Sequence, residues 1–153
     1  MTPAEIIQQL AEVGDAILAQ NNRMTGAPIF VVERKVRTTG FDPAYADDHQ
    51  IVWLDCEGYE ADEEEHVKLE QHYFETLDEP EDWARTAFQD DWVPIVDSAC
   101  FTKKGCEDYL RINGHNIRGE TRIFANGSFR NEEFQKVREL CVAAAKLRQQ
   151  GEA

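Results

Sequence analysis

Carboxylates are the reactive groups this chain holds in excess, and they are unevenly spread. Between Asp42 and Asp91, eighteen Asp and Glu residues stand against two cations, Lys68 and Arg85, a local charge of −16. The 153-residue chain carries −14, so everything outside that stretch sums to +2. Clustered carboxylates can move protons or hold a metal, but both tasks need partners at set spacing. His66 and His72 sit among the acids, and six residues apart on one helix they lie on nearly opposite faces, so one ion cannot take both. No Gly-Lys-Ser/Thr phosphate loop, Gly-x-Ser-x-Gly elbow or His-Glu-x-x-His pair occurs. The expectation is no metal, no cofactor and no catalytic residue. What such a crowd does by itself is repel nucleic acid and attract a basic protein surface.

Two parts of the acidic stretch differ in what explains them. Asp62-Glu63-Glu64-Glu65 reads as a helix start, with Asp62 as the cap and acids in the first turn, where the helix dipole favours them by roughly 0.3–1 kcal/mol each. Asp78, Glu79, Glu81 and Asp82 follow the far end of that helix, where the dipole disfavours anions, so folding does not account for them beyond the plain alternative of a solvated loop. Carboxylates three or four residues apart on a helix stand about 5–6 Å apart, similar to phosphates along one nucleic-acid strand. Glu63, Glu64, Glu79, Glu81 and Asp82 are therefore the candidate partner-binding residues, offered to a Lys/Arg groove that otherwise holds phosphates.

A second polar cluster lies on the cationic side. Residues 101–150 hold ten cations against six acids, and Asn113-Gly114-His115-Asn116 precedes Arg118, Arg122, Arg130 and Asn131. His115, Arg122, Arg130 and Asn131 form a candidate anion pocket, since a helix opening at Asn131 would point amide groups at a phosphate. The plainer reading is that these side chains satisfy backbone at a helix end and a turn.

The elements that must position these residues follow from periodicity. Thr2-Pro3-Ala4-Glu5 is a capping box with proline at the first helical position, and Ile6, Ile7, Leu10, Val13, Ile17 and Leu18 give one apolar stripe, to be covered by the protein's own sheet or by a second copy. IFVVERKVR from Pro28 predicts a long strand, and Gln50–Asp55 its antiparallel partner. Arg34, Lys35 and Arg37 are the cations most able to neutralise the acids. The helix after Asp62 is expected to bury Val67, Phe74 and Leu77 with Leu69 and Tyr73 beside them. Trp83–Asp91 reads as a link, with Trp83 and Trp92 as core anchors, and Trp92–Val96 as a short strand whose Pro94 suits an edge or bulge. Thr102 caps a helix closed by a left-handed Asn113-Gly114. Thr121–Ala125 is a strand, and a last helix runs from Asn131 to about Gln149.

This order predicts one α+β domain over residues 1–150, with a sheet of about four strands, an antiparallel pair plus two, packed with about four helices, and a short tail at 151–153. A hydrophobic fraction of 42% with 10% aromatics excludes a disordered chain. No run suits a membrane span, and MTPAEIIQQL lacks the basic-then-apolar layout of a signal peptide, which points to the cytoplasm. Cys56, Cys100, Cys106 and Cys141 show no CxxC pairing and read as buried free thiols.

The segment FTKKGCEDYLRINGHNIRGETRIFANGSFRNEE, Phe101 to Glu133, together with IVWLD at Ile51–Asp55 and the strand before it, resembles a family of small acidic accessory proteins encoded by tailed phages and prophages. The likeness spans about residues 28–140. It implies a protein acting in the cytosol of a bacterial host and carries no assigned activity. The Arg122–Glu133 layout is also similar, in a handful of residues, to nucleoside deoxyribosyltransferases, whose acidic nucleophile lies on a following helix; that likeness would make Glu132 or Glu133 the nucleophile.

The leading expectation is a non-enzymatic binding protein that blocks a host nucleic-acid-handling defence machine, a CRISPR effector being one such machine. Its partner is a host protein with a basic nucleic-acid-binding surface, and neither nucleic acid nor membrane is bound directly. Two alternatives stay open: a scaffold or assembly factor that homodimerises through the N-terminal helix, and a nucleoside- or nucleotide-processing enzyme using residues 113–133.

Overall fold

The computed structural model describes residues 1–23, 25–47 and 50–152. Asp48 of the acidic stretch and Ala153 of the expected tail lie outside the described residues, as do Met24 and His49. The elements run α1 (Pro3–Ala19), β1 (Pro28–Phe41), β2 (Ile51–Leu54), α2 (Glu63–Thr76), β3 (Ala84–Pro94), α3 (Lys103–Asn113), β4 (Thr121–Gly127) and α4 (Glu132–Glu152). The fold is α+β, as expected, with an antiparallel sheet in the order β2-β3-β1-β4. The chain divides into two compact units, residues 1–35 with 92–153, and residues 36–91, and it passes between them inside β1 and inside β3.

In the larger unit, the capping box forms as the sequence dictates. Thr2 Oγ1 accepts from the Glu5 amide at 3.2 Å, and Glu5 Oε2 accepts from the Thr2 amide at 2.6 Å, which holds the Glu5 carboxyl below its usual range. The surface that covers α1 is α4, not the sheet. The reason lies in small residues: Ala11, Gly14, Ala144 and Ala145 are buried, and a Cβ on Gly14 would collide with the Cys141 carbonyl. Of the expected stripe, Ile17 is buried and Leu10 packs against the alanines; backbones meet most closely where side chains are least, so Ile6, Ile7, Val13 and Leu18 stay partly exposed. Asp15 and Arg148 join the two helices by an ion pair.

The sheet core of this unit forms where β1 turns Phe30 and Val32, both fully buried, against Cys106 of α3, with Ile95, Tyr109, Leu110 and Ile123 packed around them. β1 and β4 pair in the register Phe30 to Ala125 and Val32 to Ile123. The buried Ser98 hydroxyl accepts from the Val32 amide at 2.9 Å and donates to the Ile95 carbonyl at 2.8 Å, which ties the chain after β3 to β1. Thr102 caps α3 by accepting from the Gly105 amide. The expected left-handed end at Asn113-Gly114 does not form: Gly114 has φ −58 and leads into a 3₁₀ turn over Gly114–Asn116. A left-handed glycine comes further on, at Gly119, with φ +88. At α4, Asn131 Oδ1 accepts from the Phe134 amide at 3.0 Å, an N-cap.

In the smaller unit, β2 pairs with β3, Trp53 opposite Arg85, and β1 is not its neighbour. That corrects the expected β1–β2 pair. The expected link and short strand are likewise one strand, β3; its Asp90 looks unsuited to a strand but is neutralised there by Arg37. The buried face of α2 also differs from expectation. Leu69 is buried and Tyr73 sits edge-on to the fully buried Trp53, whereas Val67, Phe74 and Leu77 are 59%, 63% and 75% exposed. A polar contact sets the rotation of the helix: Glu70 accepts from Trp53 Nε1 and from Arg85 and is drawn toward β2 and β3. Trp53, rather than the half-buried Trp83 or Trp92, is the core tryptophan.

Candidate functional site

The unit spanning residues 36–91 holds all eighteen carboxylates of the acidic stretch against three cations, Arg37, Lys68 and Arg85, and so carries −15. The remaining unit, with thirteen cations and twelve acids, is nearly neutral. The charge excess is thus a property of one compact unit.

Each cation of the acidic unit is engaged. Arg37 forks onto Asp90, Nε to Oδ1 at 2.8 Å and Nη2 to Oδ2 at 3.0 Å, reaches Glu60 Oε2 at 2.8 Å, and lies over the Phe88 ring at 3.8 Å. Arg85 binds Glu70 through Nε at 2.7 Å and lies over Tyr73 at 4.6 Å. Lys68 meets Glu64 at 3.1 Å in an exposed i,i+4 pair of small worth. Of the basic trio on β1, Arg37 is the member that belongs to this unit; Lys35 pairs with Glu120 at 3.5 Å in the other.

Five carboxylates were singled out by the sequence. Glu64 is the one engaged by Lys68. Glu63, Glu79, Glu81 and Asp82 are exposed, and no ion pair to them occurs among the described residues. Glu63 and Glu64 occupy the first turn of α2, behind the Asp62 cap, whose Oδ1 accepts from the Glu65 amide at 2.8 Å. The helix closes on Leu77, in the left-handed region at φ 59, with its amide donating to the Tyr73 carbonyl at 2.7 Å. Glu79, Glu81 and Asp82 lie beyond that end, and Asp82 holds φ 70, a conformation Asp tolerates better than most residues.

The residues of the predicted anion pocket do not share one site among the described residues. Arg122 Nε is 2.7 Å from Glu33 Oε1, and its guanidinium lies over Trp92 and Phe124. Arg130 lies over Phe129, Asn131 caps α4, and His115 is exposed on the 3₁₀ turn. A cavity of about 310 Å³ is instead bordered by Arg34, Asn116 and Arg118. The sequence offers Arg34 only as a neutraliser of the acids, because its place beside Asn116 and Arg118 depends on β1 bringing it there from far along the chain. Glu132 and Glu133 are exposed in the first turn of α4.

A larger cavity, about 430 Å³, lies within the acidic unit, between the end of β1, the 3₁₀ turn Pro43–Tyr45 and β3. Phe41, Tyr45 and Phe88 bring rings to it, and Asp42, Gln50 and Gln89 bring polar groups. Phe41 is 46% and Tyr45 91% exposed. The available signal was two aromatics four residues apart in an otherwise polar Gly-Asp-Pro loop.

The four cysteines are free thiols. Burial beside Cys100 pushes Cys106 up to about 12, and burial raises Cys141, so neither is a nucleophile at neutral pH. Cys56 is exposed, contrary to expectation. Among the described residues no group of three His, Cys, Asp or Glu side chains is arranged to hold a metal, and no helix is long and apolar enough to cross a membrane. No protein-family model, no curated protein and no solved structure matches the chain.

Proposed function

We propose that this chain is a non-catalytic binding protein whose acidic unit docks onto the basic, nucleic-acid-binding groove of a host protein and competes there with phosphates. One observation carries the reading: a charge of −15 confined to one compact unit, with Glu63, Glu79, Glu81 and Asp82 exposed and without an ion-pair partner among the described residues. Fold requirements explain the acids at the start of α2 but give no reason for those past its end. A surface of this charge repels nucleic acid, so its target is a protein, and long-range attraction speeds their encounter. The resemblance to phage accessory proteins supports a bacterial host and a defence complex, such as a CRISPR effector, as the target.

The test is affinity purification from an expressing bacterial host, followed by salt titration of the recovered complex. Affinity should fall by about tenfold or more between roughly 50 and 200 mM salt, and Glu79→Lys with Glu81→Lys and Asp82→Lys should release the partner. A complex untouched by those reversals would show the acids to be solubilising only.

A second reading, a homodimer, draws on the α1–α4 pair, where Ile6 and Ile7 are 44%, Leu140 57% and Leu147 60% exposed. Light scattering would then report a dimer indifferent to salt.

A further inference from the structure

The acidic unit seats its own guanidinium groups in one repeated way, on an aromatic ring and against a carboxylate. Arg37 lies 3.8 Å from the Phe88 centroid with Asp90 and Glu60 as counter-ions, and Arg85 lies 4.6 Å from the Tyr73 centroid with Glu70 as its own. The 430 Å³ cavity brings the same kinds of group together again and shares Phe88 with the Arg37 contact. Phe41, Tyr45 and Phe88 supply rings, Asp42 a carboxylate, and Gln50 and Gln89 amide oxygens, that of Gln50 also accepting from the Asp47 amide at 3.3 Å, and no cationic residue is among the described residues lining it. Asp42 Oδ1 is taken by the Ala44 amide at 2.9 Å, a bond that fixes the carboxylate at the head of the 3₁₀ turn. That turn in turn holds out Tyr45, 91% exposed, a large aromatic with almost no contact to the rest of the fold.

We infer that this cavity receives an arginine side chain of the basic partner and is the specific anchor within the otherwise diffuse acidic surface. The inference rests on the docking function proposed above and adds to it the element that gives selectivity. A guanidinium satisfies every feature present: its planar face stacks on tyrosine and phenylalanine, its edge donates to carboxylate and amide oxygens, and the −15 unit attracts its charge. Nucleotides fit the rings but bring phosphates into a strongly anionic field. An aliphatic side chain would cover the remaining acceptor positions of the lining without bringing them a donor. Ring stacking is also far less sensitive to salt than contacts between exposed charges.

The test uses the full chain and hexa-arginine as the probe, titrated calorimetrically at roughly 50 and 500 mM salt. Tyr45→Ala should weaken binding about five- to tenfold at both, and Tyr45→Phe should restore it. Because Tyr45 is exposed, its removal does not threaten folding, which circular dichroism checks. Glu79→Lys with Glu81→Lys and Asp82→Lys should weaken binding at low salt and leave the residual high-salt binding intact. Equal binding by wild type and Tyr45→Ala at both salts overturns the cavity as an anchor while the acidic docking surface stands. Wild type that fails to bind hexa-arginine even at low salt overturns both. Adenosine binding with an enthalpy abolished by Tyr45→Ala, while hexa-arginine ignores that change, overturns the arginine assignment in favour of a planar heterocycle.

Discussion

Arg85 grips Glu70 through Nε at 2.7 Å and Nη2 at 3.1 Å, and the same Glu70 Oε1 accepts from Trp53 Nε1 at 2.8 Å. This pair joins α2 to β2 and β3 and decides which side of the helix faces the sheet. Both side chains are largely buried, with Arg85 only 9% and Glu70 21% exposed. Removing one partner therefore strands a charge rather than freeing it.

Glu70→Gln should cost about 2–3 kcal/mol at neutral pH, since the amide can still accept from Trp53 but leaves Arg85 uncompensated. The pH dependence has a definite sign. Burial alone would raise the Glu70 carboxyl, but the hydrogen bonds from Arg85 and Trp53 outweigh it and hold it below its usual value. A carboxyl lowered in the folded state contributes stability above its unfolded value, and that contribution disappears as pH falls through the folded one. Urea midpoints below about pH 5 should therefore drop more steeply for wild type than for Glu70→Gln, so that the difference between the two narrows in acid.

The rotation of α2 gives a second check. Leu69→Ala should destabilise by about 2–4 kcal/mol, because Leu69 is the buried apolar residue of the helix. Val67→Ser, at a position 59% exposed, should stay within about 0.5 kcal/mol. Thermal unfolding of the two variants measures it, and the reverse ranking would restore the face that apolar periodicity suggests.

That contrast shows what was legible in the sequence. The α+β class, the caps at Thr2, Asp62, Thr102 and Asn131, and the uneven charge are local features, encoded within a few residues, and the structure has them. Partner choice is not local. Nothing in Ile51–Leu54 says that β3 rather than β1 lies beside it, and nothing in Arg34 announces Arg118. Apolar periodicity was right at α1 for Leu10 and Ile17 and at α2 for Leu69, and misled at the other large residues because it weights size. The closest approach is made by Gly14 and Ala145 in one case, and the rotation of the helix is set by a largely buried ion pair in the other. At the candidate site, the carboxylates were visible by count, whereas the Phe41–Tyr45–Phe88 cavity needed β3 to bring Phe88 from well beyond α2 in the chain.

The α1–α4 contact is the next expectation. Gly14→Val should destabilise by about 2 kcal/mol or more, since the Cβ meets the Cys141 carbonyl, a rigid backbone atom, and forces the helices apart. Val at the nearby exposed Glu12, by contrast, should cost only the lower helix propensity of a β-branched residue, under about 1 kcal/mol. Denaturant unfolding followed by circular dichroism distinguishes the two.

The two ends of α2 separate folding from recognition. Glu63 and Glu64 stand in a first turn where exposed amides and the helix dipole favour anions, so Glu63→Lys with Glu64→Lys should lose a few tenths of a kcal/mol each, toward the low end because both are exposed. Glu79, Glu81 and Asp82 follow the carboxyl end of the same helix, beyond the left-handed Leu77. There the dipole opposes them, as do the neighbouring carboxylates, so reversing them to Lys should leave stability unchanged or raise it, and adding salt should narrow the gap between the variants. Melting temperatures at low and high salt decide the matter. A clear loss of stability on reversing Glu79, Glu81 and Asp82 would mean that these acids serve the fold and are not held outward for a partner.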